Sequence, residues 1–343
     1  MIQPESLRVI LAYKNFAANR AVSHIGLGVT ALNTAKSLRD AGVPTDVWAI
    51  TSSQDLSRQL KAAAAHSPVS HIVVSAPWIP TVDLEQLTAE YPETTFAVNC
   101  HSNLGFLQAD PGAMRLVREG LELQRRTWNF QVAANNQRLS TWVADTYGSW
   151  CTYLPNLYHL DALSGQHRTL FSGSTLRIGA FGATRPLKNF MTAAGAALEI
   201  ANRMRVNLEF WMSSGRNEGA GPLVNAIQQM TVGLPHVRLM ENGWQTWPQF
   251  RQTVRHMHLL LQPSYTETFN VVTADGVAEG VPSVVSHAIE WAPDNWKAEV
   301  DDVHQIATVG QRLLRDKRAN RRGLRALQTY NRRAMTFWDH FIR

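Results

Sequence analysis

Residues Gln262–Ser286, QPSYTETFNVVTADGVAEGVPSVVS, decide how this chain is read. They follow an apolar run, Met257–Leu261, that predicts a short buried strand. Pro263 and Ser264 make a turn, Glu267 sets a carboxylate on the loop, and Asn270 leads into a helix. Val271, Ala274, Val277 and Ala278 sit at helical spacing in that helix. Gly280 and Pro282 stop it, and Val281–Val285 restarts a strand. Glu267 and Asp275 are eight residues apart, one on the loop and the other about two turns into the helix. Both are expected to face the space above the strand ends, where open α/β sheets take ligands.

The rest of the chain repeats this strand–helix rhythm. Leu7–Tyr13 predicts a buried strand. Gly26 and Gly28 are expected to precede a helix running to about Ala41, and Asp46–Ile50 predicts the next strand. Bare amides at that helix start would suit a phosphate, although a third glycine at dinucleotide spacing is missing, position 31 being Ala. Further strands are expected at His71–Ala76, Thr94–Cys100 and Asn129–Ala134, with helices over Ser57–His66, Val82–Tyr91, Pro111–Arg126 and Asn136–Tyr147. After Ser164–Ser174, rich in Ser and Gly, the pattern restarts. Strands are expected at Leu176–Phe181, Val206–Met212 and His236–Met240, and helices reach Met204, Met230 and His256. Such alternation predicts parallel, doubly wound sheets in an α/β protein.

The opening segment resembles the signature of retaining GT-B glycosyltransferases of the family 4-like, E-x7-E type, which runs P-S-x-x-E-G-F-G and then E-A-M-A-x-G-x-P-V-V. Here the acidic pair is Glu267-x7-Asp275, with Pro263, Ser264, Phe269, Ala278, Glu279, Gly280 and Pro282 in register. Asp275 stands where that family has a second glutamate, and Thr268 and Asn270 replace two loop glycines. Gly182–Asn189, with Arg185 and Lys188, is similar to that family's G-x-x-R-x-x-K-N loop. Cys151–Leu157, CTYLPNL, is similar to the segment closing its first domain, with Leu157 in place of a glycine.

The resemblance implies two Rossmann-like domains facing across a cleft: 1–163 on the acceptor side, a linker 164–175, a nucleotide-sugar domain 176–310, and basic helices 311–343 crossing back to the first domain. It implies Arg185 and Lys188 on the donor diphosphate, Glu267 on donor sugar hydroxyls and Asp275 on the ribose. The amides of Thr268, Phe269 and Asn270 would lie by a phosphate and His101 by the donor sugar. Asn242, Gly243 and Trp244 follow a strand end and, with Tyr265, are candidates to line the base pocket; His24 is a candidate for acceptor or phosphate. Arg offers a planar fork and Lys a point charge, and both suit phosphate.

Composition sets the bounds. The 343 residues suggest two domains, and 45% hydrophobic with 17% charged residues suits a soluble globular chain. No run reaches the roughly 18 apolar residues of a membrane span, and no charged-then-apolar leader follows Met1. Two cysteines, Cys100 and Cys151, make no disulfide framework, which points to a reducing cytoplasm. No D-x-D or metal-ligand spacing occurs, so no metal and no cofactor beyond a nucleotide-sugar co-substrate, UDP-linked such as UDP-glucose, is expected. Residues 311–343 hold ten Lys/Arg against Asp316 and Asp339, a net +8, so the remaining 310 residues carry −2 of the chain's total +6. That tail suits peripheral contact with an anionic surface. The acceptor expected is a glycan or lipid head group. Hydroxymethylated bases of DNA are the alternative acceptor, and an inactive nucleotide-sugar-binding module or a two-lobed epimerase are the rivals outside this reading.

Overall fold

The structure is a computed structural model that describes residues 7–15, 25–166, 170–215, 218 and 221–343. His24, with residues 16–23 of the first loop and 167–169 of the expected linker, lies outside them. The chain divides into two compact units, Met1–His159 with Asn331–Arg343, and Leu160–Tyr330.

The first unit contains β1 (Val9–Lys14), α1 (Ile25–Asp40), β2 (Thr45–Ile50), α2 (Ser53–Ala64), β3 (His71–Ser75), α3 (Thr81–Glu90) and β4 (Thr95–Cys100). It continues through α4 (Leu104–Leu107), α5 (Pro111–Arg126), β5 (Phe130–Ala134), α6 (Gln137–Tyr147) and β6 (Thr152–Tyr153). The strands form a parallel sheet in the order β2-β1-β3-β4-β5-β6. Val9–Ala12 and Ile72–Val74 are buried, because helices cover both faces of such a sheet and leave no side for alternation. Gly26 and Gly28, expected ahead of α1, lie within its first turn. Gly28 lets the helix approach Tyr13: a Cβ there would sit 3.1 Å from the tyrosine ring.

The second unit contains β7 (Thr175–Ala180), α7 (Phe190–Met204), β8 (Asn207–Ser213), α8 (Gly221–Thr231), β9 (Val237–Asn242), α9 (Trp247–Arg255), β10 (Leu259–Gln262), α10 (Val271–Glu279), β11 (Ser283–Val285) and α11 (Val303–Arg315). Its sheet is also parallel, in the order β11-β10-β7-β8-β9. The chain enters this unit ahead of the Ser/Gly-rich stretch: Gly165 donates its N–H to the Ala278 carbonyl at 2.7 Å and accepts from Asn320 Nδ2 at 2.9 Å.

The last helix, α12 (Ala319–Ile342), contributes to both units, residues up to Tyr330 to the second and those from Asn331 to the first. Of the expected tail 311–343, therefore, only the last part joins the first unit. There Asn331 exchanges hydrogen bonds with Tyr158, Trp338 Nε1 donates to the Pro155 carbonyl at 2.7 Å, and Phe341 meets His71 edge-on at 5.1 Å between ring centres.

Candidate functional site

In the second sheet the chain moves outward from β7 in two directions, to β8 and β9 on one side and later to β10 and β11 on the other. The loops leaving the carboxyl ends of β7 and β10 therefore diverge at a topological switch point, the place where doubly wound sheets hold ligands. Arg185 and Lys188 lie on the first of these loops and Glu267 on the second.

Local hydrogen bonds set the two loops against each other. After β7, Gly182 takes φ +124°, a conformation closed to most L-residues, and its N–H donates to Ser213 Oγ at 3.2 Å. A single 3-10 turn, Pro186–Lys188, follows, and Asn189 leaves it at φ +57°. Asn189 Nδ2 donates to the Pro263 carbonyl at 3.1 Å and to that of Val300 at 2.6 Å. In return, Tyr265 N–H donates to the Leu187 carbonyl at 3.0 Å. The asparagine of the K-N pair is thus the tie between the loops, a role visible only once the fold brings Pro263 beside it.

Lys188 Nζ is ion-paired with Glu267 Oε1, and the two side chains are only 10% and 8% exposed. Asn270 Nδ2 donates to the same Glu267 oxygen at 2.9 Å and to Gln262 Oε1 at 3.2 Å. Burial alone would raise the Glu267 pKa. The charge and hydrogen bond of Lys188, the Ser264 hydroxyl and the charge of Arg185 outweigh it and hold the carboxyl below its usual range. Arg185 Nη1 reaches Glu218 Oε2 at 3.3 Å, and the Glu218 N–H is anchored on the Thr184 carbonyl at 2.8 Å. The result is an ionised, buried carboxylate flanked by two cations. Such a group can accept from hydroxyls while the cations receive phosphate oxygens.

Other expected residues divide into those that line and those that support. Phe269 is 2% exposed, stacks on Trp291 and meets Tyr330, and its carbonyl accepts from Trp291 Nε1 at 2.6 Å. Its side chain is therefore core, and only its backbone is placed with the loop. Asp275 is 1% exposed and accepts from Trp247 Nε1 at 3.0 Å. Instead of facing open space above the strands, it is held inside the α9–α10 packing, beside the Arg251–Glu279 pair at 2.5 Å. Asn242 ends β9, is buried and donates to Gln245 Oε1 at 3.0 Å. Gly243 is exposed, and Trp244 and Tyr265 are 47% and 49% exposed. Backbone 243–244 lies so close to Gly215 that a Cβ there would come within 2.5 Å of Trp244 N.

Gly26, Gly28 and His101 belong to the first unit. His101 follows β4, and its Nδ1 lies 3.2 Å from Asn135 Nδ2, which also donates to Asn156 Oδ1 at 3.2 Å. Burial pushes the imidazole down to a pKa of about 4, so it is neutral at pH 7. Glu218, Asn189, Gln262 and Trp247 were not expected from the sequence. Only Asn189, in the Arg–Lys–Asn spacing, carried a local signal.

No protein-family model matches the sequence, and no curated protein matches it. Solved structures do. The chain superposes on sucrose-phosphate synthase from Thermosynechococcus elongatus with a TM-score of 0.67 at 13% identity, covering 97% of this chain and 98% of the other. The trehalose-6-phosphate synthase OtsA gives 0.66 at 11%, covering 98% of each. A mutant of Staphylococcus aureus TarM, solved in complex with fondaparinux, alpha-GlcNAc-glycerol and UDP, gives 0.58 at 11%, covering 79% of this chain and 55% of TarM. This chain is the GT-B fold. It spans about half the length of TarM. At these identities what the GT-B chains share is the path of the backbone, so the chemistry has to be argued from the side chains above. Among the described residues no group of three or more His, Cys, Asp or Glu could hold a metal ion. No helix among them is long and apolar enough to cross a membrane.

Proposed function

We propose that this protein is a retaining, metal-independent glycosyltransferase that moves a hexose from a UDP-sugar to a hydroxyl of a glycan or a lipid-linked acceptor. The observation that carries this reading is the meeting of Arg185, Lys188 and Glu267 at the switch point of the second sheet. The fold, shared with the trehalose-phosphate and sucrose-phosphate synthases, supports it.

In this reading Lys188 bridges Glu267 and a diphosphate oxygen, and Arg185 turns from Glu218 towards the same diphosphate. Glu267 accepts from hydroxyls of the donor sugar. Asp275, buried and fixed by the Trp247 indole, braces α10 behind the Glu267 loop and does not itself touch the donor. The bond from the anomeric carbon to the diphosphate breaks, and the bond to the acceptor oxygen forms on the same face. The acceptor proton passes to the departing diphosphate. Lys188, held in place before reaction by Glu267, and Arg185, once turned, stabilise the leaving charge, which suits a site without a metal.

The test is release of UDP from a panel of UDP-, GDP- and ADP-hexoses with a mixed set of acceptors. Glu267→Gln and Lys188→Met keep side-chain volume, and each is expected to lower kcat/KM by about 100-fold or more, the scale of losing one charge-stabilising group. Turnover unchanged in both variants would remove the assignment. UDP binding that depends on Lys188, without turnover of any sugar nucleotide, would leave a binding module instead.

A further inference from the structure

We infer that α12, with the turn before it, presents a docking surface for the phosphodiester backbone of a nucleic acid. The inference stands independently of the donor chemistry above. Arg318, Arg321, Arg322 and Arg325 together line one surface hollow. At 100° per residue, Arg321, Arg322, Arg325, Arg332 and Arg333 fall within an arc of about 120° on α12. From Arg321 to Arg333 the stripe rises about 18 Å. The opposite face carries Gly323, Leu327, Ala334, Trp338 and Phe341, all buried. The arginines are thus what the packing of α12 leaves outward.

Charge on a helix surface is usually balanced by neighbours, and around the hollow only one of the four arginines has a carboxylate partner among the described residues. Asp316 pairs with Arg322. Among the described residues no carboxylate pairs with the side chains of Arg318, Arg321 or Arg325. Arg322 Nε is buried and donates to no acceptor among them.

The chemistry of the stripe separates nucleic acid from a bilayer. A helix that lies on lipid offers large apolar side chains to the acyl boundary. None of the exposed large hydrophobic residues falls within 311–343; the other residues that share the arc of the arginines on α12 are Thr329, Thr336, Asp339 and His340, all polar. Arg outnumbers Lys nine to one in 311–343, and the guanidinium fork matches phosphate oxygens in pairs. Polar neighbours and a rigid line of forks fit a regular row of phosphates, and read no base.

The experiment is fluorescence anisotropy of a 20-base-pair duplex with the full chain, without nucleotide sugar, over rising NaCl. Replacing Arg318, Arg321 and Arg325 together by Gln is expected to make the slope of log K against log salt shallower by about 2.7, near 0.9 for each phosphate no longer neutralised. Arg325→Glu alone is the second variant and is expected to weaken binding more than Arg325→Gln does. A control replacing Lys61, Arg118 and Arg255, exposed on other helices, by Gln removes the same charge and is expected to leave the slope unchanged. UDP release and thermal unfolding are expected to match the parent in all variants. No duplex binding at 50 mM NaCl, or equal weakening in the control, overturns the inference. Phosphatidylglycerol vesicles that compete as well as duplex at equal phosphate overturn it too, assigning the surface to lipid.

Discussion

Asn270 sits at φ +62°, in the left-handed region that glycine enters freely and other residues do not. Asparagine tolerates it best among the rest, and here it gains two uses that glycine cannot have. Its Oδ1 accepts from Thr273 N–H at 2.8 Å, capping α10, and its Nδ2 holds Glu267 at 2.9 Å. The departure from the glycosyltransferase pattern at this position is thus a substitution within one backbone constraint. Asn270→Ala removes the cap, worth about 1 kcal/mol, and adds left-handed strain of about 1–2 kcal/mol. Asn270→Gly removes the capping oxygen and adds no strain. Urea unfolding is expected to show a loss of about 2–3 kcal/mol for Ala and under about 1 kcal/mol for Gly. Equal losses would dismiss the strain argument.

Among elements, α9 and α10 show where sequence reading stops. The strand, the loop carboxylate, the helix and its Gly280 stop were all legible between Met257 and Val285, because period and punctuation are local signals. So was the Arg185–Lys188 loop, from its spacing before α7. The partner of Asp275 was not, because Trp247 lies 28 residues earlier and meets it only when the two helices pack. The same limit applies to Gly26 and Gly28. Two glycines near a helix start read alike inside or outside it, and both lie inside α1, Gly28 against the Tyr13 ring. Trp247→Phe keeps the packing of the ring and removes the N–H from a carboxylate that is 1% exposed. That is expected to cost about 1–3 kcal/mol in unfolding free energy. A calorimetric Tm equal to the parent's would mean that Asp275 does not lean on the indole.

At the scale of the whole molecule, both units hold buried histidines in the neutral form. In the first unit burial pushes His71 to about 4, as it does His101. In the second, burial and then the nearby Arg177 push His258 to about 4, and His258 Nδ1 accepts the Arg177 N–H at 2.9 Å, which requires an unprotonated nitrogen. An unfolded histidine takes its proton near pH 6.5, while these folded ones resist it until about pH 4. Protons therefore favour the unfolded chain throughout that window, and stability is full above pH 6.5 and falls as the pH drops towards 4. Glu267 works in the same direction lower down: its depressed pKa contributes stability above the unfolded carboxyl value that is lost as the pH falls through the folded one. The urea midpoint is expected to fall steadily from pH 7 to 4.5, and His71→Leu should flatten that slope. A midpoint constant or rising over this range would contradict it.

The path of α12 bears on how the protein is made. Residues 331–343 fill a place beside Tyr158, Pro155 and His71, although nearly all the sheet they complete is translated first. The strands of that sheet thus leave the ribosome as an unfinished body, its rim bare until that stretch of helix emerges. A pause or frameshift between Tyr158 and Asn331 would spoil the unit begun before it, and that unit made without residues 331–343 would need the missing peptide supplied in trans.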